Sequence, residues 1–149
     1  MQLEKDLKQR SFTSDYQKAL INILYTHNYL INKINYFFKD HQITRQQYNV
    51  LRILRGQYPN PATINLIKDR MLDKMSDASR IVERLRNKQL ITREINSVDK
   101  RSASLRISKK GLDLLKKTDD KVREFDEILK TLDSKEIKVL NKLLDKIRE

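Results

Sequence analysis

The sequence contains no cysteine, no tryptophan, and only two glycines and two prolines among its 149 residues. The absence of cysteine excludes disulfides, thiolate metal ligands and cysteine nucleophiles. Sandwiches and barrels need many turns, which usually contain glycine or proline, so the scarcity of both residues favours a mostly helical fold. A chain of this length is expected to form a single domain with one hydrophobic core.

Long apolar runs are also missing, since no segment approaches the roughly 18 apolar residues of a membrane span. Residues 1–6 lack the basic and then apolar segments of a signal peptide. We therefore expect a soluble, cytoplasmic protein that does not associate with membranes.

Positive charge is abundant and unevenly distributed. Lysine and arginine outnumber aspartate and glutamate by 32 to 20, which gives a net charge of +12. Residues 41–110 hold 16 basic and 6 acidic side chains, whereas residues 111–149 hold 10 of each. A basic segment of this kind is typical of a surface that binds a polyanion such as nucleic acid. A basic, solvated surface without such a partner is the alternative that charge alone leaves open.

Hydrophobic periodicity predicts a long helix over about residues 13–39. Its apolar stripe is broader than a small domain usually covers, so a partner helix is expected. Three short helices are predicted next, beginning after Thr44, Thr63 and Ser76, each of which is a good N-cap residue.

The period then changes from helical to alternating. Residues 91–95 and 105–107 alternate apolar and polar side chains around a polar loop, which predicts a β-hairpin. Two further helices are predicted from Lys109 onwards, the second beginning near Asp133.

This order of elements, together with four short segments, resembles the MarR family of bacterial transcription regulators. The segments are ITRQQYNVL (43–51), SDASRIVERL (76–85), DKR (99–101) and ISKKG (107–111). The resemblance is close over residues 43–115. It implies one MarR-like domain, mainly helical with a small β-hairpin wing, in which a winged helix-turn-helix (43–108) is flanked by dimerisation helices (13–39 and 109–149).

The chain departs from the family just after the recognition helix. The family usually has a glycine there, which eases a left-handed backbone conformation, whereas this chain has Asn87, Lys88 and Gln89. Because asparagine tolerates that conformation next best, Asn87 is the expected substitute.

The resemblance implies a homodimer that binds double-stranded DNA at a near-palindromic operator and regulates transcription, as a repressor. The exposed face of the helix after Ser76 is small and polar, as a helix in the major groove requires. By likeness to the family, Ser79 and Arg80 are expected to contact DNA. Arg84 and Lys74 are expected to hold phosphates, and Ser76 either contacts DNA or serves only as a cap.

The wing is expected at the hairpin tip. Lys100 and Arg101 would enter the minor groove, where the potential is most negative. Asp99 would be repelled by phosphates, so we expect it to orient the loop and an arginine by accepting hydrogen bonds. An ordinary charged turn is the alternative.

The family often binds small aromatic acids, so a small aromatic or anionic effector is a further expectation. His27, Tyr25, Tyr29 and Tyr48 are candidates for its pocket, although such residues at helical spacing also occur as ordinary core. With two histidines in the chain, no metal site is expected. No catalytic motif or cofactor motif is present, so we expect neither an enzyme nor a cofactor.

A second interpretation remains open, in which a basic helical module binds RNA or an acidic protein partner. RNA-binding proteins usually present aromatic platforms or arginine-rich tracts. The basic middle segment offers Tyr48 and Tyr58 and no such tract, which favours the DNA-binding interpretation.

Overall fold

The structure is a computed structural model, which describes residues 3–8, 11–95 and 103–149, with the backbone alone at Ile95 and Ala103. The described elements are α1 (Leu3–Asp6), α2 (Asp15–Asp40), α3 (Arg45–Gln57), α4 (Ile64–Arg70), α5 (Ala78–Asn87), β1 (Ile91–Ile95), β2 (Ala103–Ile107), α6 (Lys109–Glu127) and α7 (Ser134–Ile147). Strands β1 and β2 pair antiparallel, with Ile91 opposite Ile107. The predicted fold class is therefore confirmed. No described helix is long and apolar enough to cross a membrane.

The chain divides into two compact units, of which the first spans Met1–Arg45. Its main element is α2, and Lys18 on that helix forms an ion pair of 2.6 Å with Glu4 of α1. Phe38 is the one buried residue of α2. Most of the apolar stripe predicted for this helix is therefore exposed to solvent in the isolated chain.

The second unit, Gln46–Glu149, contains the helix-turn-helix and the hairpin. Its core is made by one apolar face of each of α3, α4 and α5, by both strands, and by α6. The apolar side chains with at most 2% exposure in this unit are Val50, Leu51, Leu54, Ile67, Met71, Ala78, Val82, Leu85, Ile91, Leu105 and Leu115. Helices α3, α4 and α5 supply most of this list.

Side-chain caps begin the helices of this unit. Thr63 accepts a hydrogen bond of 3.1 Å from the backbone N–H of Leu66 at the start of α4, as predicted. The prediction of Ser76 as the cap of α5 is wrong, because Asp77 accepts the bond from the N–H of Arg80 at 3.1 Å. An aspartate at this position caps as a serine does and adds a negative charge that the positive end of the helix dipole stabilises.

Helix α5 ends in a Schellman turn that uses glutamine in place of glycine. Gln89 has a φ of 61°, while the N–H of Gln89 bonds to the carbonyl of Arg86 and the N–H of Leu90 bonds to that of Leu85. The prediction that Asn87 would take the left-handed conformation is wrong, since Asn87 is the last residue of the helix.

The same turn ends α2 in the first unit. Gln42 has a φ of 55°, and the N–H of Ile43 bonds to the carbonyl of Phe38. In both turns the two residues joined by the longer hydrogen-bonded loop are buried and apolar: Leu85 and Leu90 at the end of α5, and Phe38 and Ile43 at the end of α2. Burial of such a pair helps to offset the cost of a positive φ in a residue that has a Cβ.

A short bridge fixes the outer edge of the hairpin. Ala62, in the loop between α3 and α4, exchanges two backbone hydrogen bonds of 2.8 Å with Leu105 of β2. This contact attaches strand β2 to the loop between α3 and α4. Hydrophobic periodicity could not predict it, because a bridge of one residue pair shows no periodicity.

The end of α5 is joined to the start of α6 by three successive carbonyl groups. The Lys88 carbonyl accepts from Nζ of Lys110 at 2.9 Å, and the Gln89 carbonyl accepts from the hydroxyl of Ser108 at 2.8 Å. The Leu90 carbonyl accepts from the N–H of Ser108 at 3.0 Å. We call this set of contacts, made by residues 88–90 and 108–111, the α5–α6 junction.

Gly111 is required at this junction. A Cβ at Gly111 would lie 2.3 Å from the Leu90 carbonyl oxygen and 2.8 Å from Cγ1 of Ile107. We expect Gly111→Ala to lower the free energy of unfolding by about 1–3 kcal/mol, because backbone atoms must move to make room.

Gly56→Ala is the matched control, since nothing lies within 4 Å of its Cβ position. Alanine there should stabilise α3 by roughly 0.5–1 kcal/mol. Urea unfolding at one fixed protein concentration measures both, and equal effects would contradict the close approach.

Replacement of Gln89 by glycine should stabilise the protein. A left-handed conformation costs a residue with a Cβ about 1–2 kcal/mol, and glycine avoids this cost. The greater freedom of glycine in the unfolded chain cancels part of the gain. We expect Gln89→Gly to raise the free energy of unfolding by about 0.5–1 kcal/mol. Lys88→Gly is the control, because Lys88 has a φ of −81° and should lose stability instead. A loss of stability in Gln89→Gly would argue against the Schellman turn.

Candidate nucleic-acid interface

The turn between α4 and α5 is held by hydrogen bonds at both ends. The N–H of Leu72 donates to the side-chain oxygen of Asn49 on α3 at 3.0 Å. Within the turn, Asp73 accepts from the N–H of Met75 through its carboxylate and from the N–H of Ser76 through its carbonyl, each at 3.2 Å. The turn therefore fixes how α5 is presented to solvent.

Lys74 lies in this turn, and its ammonium group is engaged. Nζ donates to the carbonyl of Asp69 and, at 3.4 Å, to that of Lys68, both in the last turn of α4. A cation at the C-terminal end of a helix is favourable there, since the free carbonyls carry partial negative charge. The side chain expected to hold a phosphate thus satisfies carbonyls of its own chain in this structure.

Helix α5 presents a polar face that contains two arginines for which the described residues offer no side-chain partner. Ser79, Arg80 and Arg84 are exposed, whereas Ser76 is half-buried in the preceding turn. Within the described ranges, neither guanidinium forms a hydrogen bond or an ion pair with another side chain. Arg86 differs, because it forms a two-pronged ion pair with Glu83 at 2.5–3.2 Å.

The spacing of the two free arginines is informative. Arg80 and Arg84 are four residues apart and so lie one above the other on the same side of α5. Like charges at this spacing repel and destabilise a helix by a few tenths of a kcal/mol. An anionic partner removes that penalty, and the guanidinium group is suited to both guanine edges and phosphates.

Arg106 ties the base of the hairpin to the loop between α3 and α4. Its Nη1 donates to the carbonyl of Pro59 at 2.9 Å, and its Nε lies 3.9 Å from a carboxylate oxygen of Glu94. The candidate wing residues Asp99, Lys100 and Arg101 lie outside the described residues. Their roles stay predictions.

A pocket of about 330 Å³ opens between α3 and α6. It is lined by Arg52, Arg55, Asp119, Val122, Arg123 and Asp126. Arg55 binds both carboxylate oxygens of Asp119, at 2.7 and 3.0 Å. These hydrogen bonds lower the pKa of Asp119 and raise that of Arg55, so the pair stays ionised at neutral pH. Sequence reasoning missed this pocket, because its residues are 64 or more positions apart between the two helices.

The residues proposed for an effector site are distributed over both units. Tyr25, His27 and Tyr29 are exposed on α2, where the ammonium of Lys33 lies 5.0 Å from the centre of the Tyr29 ring. Tyr48 is buried in α3, and its hydroxyl accepts from Nη1 of Arg52 at 3.1 Å. None of these four residues lines the pocket between α3 and α6.

Metal chemistry finds no support in the part of the chain that the structure describes. No group of three or more histidines, aspartates and glutamates is placed to hold a metal ion there. The chemistry of the exposed α5 face is instead that of hydrogen-bond donors and fixed positive charge.

Comparison with known proteins supports a regulator. No protein-family model matches the chain. The HTH-type transcriptional regulator MhqR of Bacillus subtilis (strain 168) is 24% identical over 115 residues, which covers 76% of this chain and 78% of MhqR. That aligned stretch is long enough to contain the whole winged helix-turn-helix.

Solved structures extend the likeness to the flanking helices. A MarR transcription factor from Planctomyces limnophilus matches with a TM-score of 0.70 and 27% identity, over 91% of this chain and 98% of its own. The MepR–DNA complex of S. aureus matches with a TM-score of 0.72 and 20% identity, over 92% and 97%.

A third structure is BpsR of Bordetella bronchiseptica, whose DNA binding is regulated by 6-hydroxynicotinic acid. It matches with a TM-score of 0.68 and 17% identity, over 86% of this chain and 99% of its own. All of these similar proteins are transcription regulators rather than enzymes. In its fold, its helix-turn-helix geometry and its likeness to these proteins, the chain resembles the MarR family of transcription regulators.

Proposed function

We propose that this protein is a homodimeric transcription regulator that binds double-stranded DNA with α5 in the major groove and the hairpin tip in the minor groove. It occupies a near-palindromic operator as a repressor and is released by a small aromatic or anionic effector. One observation carries the proposal: Arg80 and Arg84, which are exposed and have no side-chain partner among the described residues, stand on one face of α5 within the segment of net charge +10.

The dimer is supported by apolar surface that the isolated chain leaves open. On α2, Tyr16 is 90% exposed and Leu20 58%, and on α7 Leu143 is 53% exposed and Ile147 67%. Helix α7 has no buried residue at all. An amphipathic helix gains its stability by burying its apolar face, so helices of this kind need a partner. A second copy of the chain supplies the same faces by symmetry.

Dimerisation also fits the proposed ligand. Two recognition helices related by a two-fold axis bind half-sites one helical turn of DNA apart, roughly 34–36 Å. MepR, which has the same fold, has been solved in complex with DNA. The likeness to that complex supports DNA as the partner, and the positive charge of residues 41–110 agrees with it.

The pocket between α3 and α6 supports an anionic effector. The pocket is lined by three guanidinium groups, those of Arg52, Arg55 and Arg123. Only Arg55 among these three donates to both carboxylate oxygens of Asp119. A small aromatic acid offers a carboxylate that suits the remaining arginines. The relative BpsR responds to such an acid. Tyr25, His27, Tyr29 and Tyr48 do not line this pocket, and their role in effector binding stays a prediction.

The competing function, RNA binding by a basic helical module, predicts a different preference. In the described residues, Tyr58 is the one strongly exposed aromatic side chain of the second unit, at 58%. RNA recognition in single strands depends on several such stacking surfaces. Direct competition between a duplex and a single-stranded RNA of equal length separates the two functions.

The dimer can be tested by substitution on the exposed helices. We expect the protein to sediment as a dimer at micromolar concentration, and Leu143→Asp to shift it towards monomer, because a carboxylate would be buried in the interface. Tyr58→Asp is the matched control, since Tyr58 is exposed to a similar degree but lies outside α2 and α7. A wild-type protein that sediments as a monomer would overturn the dimer.

Arg80 and Arg84 should differ in how they contribute to binding. We expect Arg80→Ala to cost about 1–3 kcal/mol on the specific duplex and to reduce discrimination at one base pair of each half-site. Arg84→Ala should weaken binding to all duplexes alike and reduce the slope of affinity against salt by about one unit per half-site. The measurement is a titration on a duplex selected from a random pool, a half-site mutant and a random duplex.

Arg148→Ala removes an equal charge from the end of α7 and serves as the control. For the wild type, neutralisation of 6–10 phosphates predicts a loss of about 10³–10⁵-fold between 50 and 200 mM salt. A flat salt response would refute the proposed contact surface. If Arg80→Ala and Arg84→Ala behave identically on all three duplexes, the assignment of Arg80 to the bases is wrong.

A further inference from the structure

Met75, in the turn before α5, is 94% exposed, more than any other large apolar side chain that the structure describes. An apolar side chain in water gains free energy when it becomes covered. A position two residues before a helix cap is also outside the usual staple, in which the residue just before the cap packs on the helix. Here that residue is Ser76, so α5 offers Met75 no cover of its own.

The exposure of Met75 is imposed by an ordered turn. Its N–H is held by the Asp73 carboxylate at 3.2 Å, and the next N–H, of Ser76, bonds to the Asp73 carbonyl. Asp77 then caps the helix through the N–H of Arg80. With the backbone fixed on both sides, the thioether stays at the N-terminal end of α5, four positions before Ser79.

We propose that Met75 is a specificity-determining residue, whose thioether packs against the C5-methyl group of a thymine in the major groove. The inference rests on the proposed function, in which α5 lies in that groove. The methyl group is the one apolar feature that a base presents there, and no polar side chain of the α5 face can recognise it by a hydrogen bond. The methionine side chain is flexible and polarisable, so it adapts to such a surface.

Leu72 is nearly as exposed, at 87%, but its place in the motif differs. It follows α4 directly, next to the cap residue Met71. In helix-turn-helix complexes the first helix crosses the sugar–phosphate backbone, whereas the N-terminal residues of the second helix reach the base edges. Met75 adjoins the second helix and Leu72 the first, so Met75 is the one assigned to the bases.

Replacement of thymine by deoxyuridine tests this contact, because it removes the methyl group and leaves the base-pairing edge intact. Each thymine of the selected half-site is replaced in turn, in both half-sites at once. We expect one replacement to weaken wild-type binding about fourfold per half-site, from the free energy of one buried methyl group. The Met75→Ala variant should bind the thymine duplex more weakly by a similar factor and should no longer distinguish it from the deoxyuridine duplex.

Leu72→Ala is the matched control and should keep the full difference between thymine and deoxyuridine. Thermal unfolding of both variants checks the fold, which should not change because both side chains are exposed. If the wild type binds its duplex but no deoxyuridine replacement matters, or if Met75→Ala keeps the wild-type difference, the inference falls while DNA binding stands. The inference would also be overturned if Leu72→Ala, and not Met75→Ala, lost the difference in affinity between the thymine and deoxyuridine duplexes. If the wild type binds no duplex, the proposed function fails as well.

Discussion

The position of the proposed recognition helix depends on the α5–α6 junction, where three consecutive carbonyls after α5 accept hydrogen bonds from the first residues of α6. Consecutive carbonyls in an extended chain point in different directions, so they can reach one helix start only because Gln89 reverses the chain in a left-handed turn. Ser108 contributes twice, since its hydroxyl donates to the Gln89 carbonyl and accepts from the N–H of Gly111. The cap of one helix is thus also a partner of the other helix's end.

This junction links the helix proposed to bind DNA to the helices proposed to form the dimer. Helix α6 leads to α7, which has no buried residue, while α5 carries the exposed arginines. A protein with two recognition helices must hold them at a spacing that matches DNA. Because bonded backbone groups and a glycine without room for a Cβ leave little freedom at the junction, a displacement of α6 would be passed to α5. The pocket between α3 and α6, with its Arg55–Asp119 pair, is lined by residues of the same helix α6.

The sequence predicted what periodicity and caps encode. The helices, the hairpin and caps such as Thr63 were correctly expected, because each depends on residues close together in the chain. The errors have a common cause. Two adjacent residues, Ser76 and Asp77, can both cap, and the choice depends on the preceding turn. Likewise, the position of the left-handed residue is set by where tertiary packing ends the helix. The intrinsic preference for a left-handed conformation favoured Asn87 over Gln89 and therefore gave the wrong residue.

The candidate site was harder to predict, since the availability of a charge depends on its neighbours. Counting charges treats all basic residues alike, yet Lys74 is bound to helix carbonyls and Arg86 to Glu83. Only the structure separates these from Arg80 and Arg84. Contacts between distant parts of the chain, such as the Arg55–Asp119 pair, leave no pattern in a single sequence.

Two carboxylates lie in the turn that would face a polyanion, and their hydrogen bonds explain how this is tolerated. Asp73 and Asp77 each accept from a backbone N–H, and Asp77 also lies at the positive end of the α5 dipole. Their charge is therefore partly compensated within the chain. The exposed side chains Met75 and Ser79 are uncharged; Arg80 follows Ser79 directly, and Arg84 lies one turn further along α5. In the proposed complex this order suits a groove whose floor is formed by base edges and whose walls are phosphates, because Met75, Ser79 and Arg80 are placed for the floor and Arg84 for a wall.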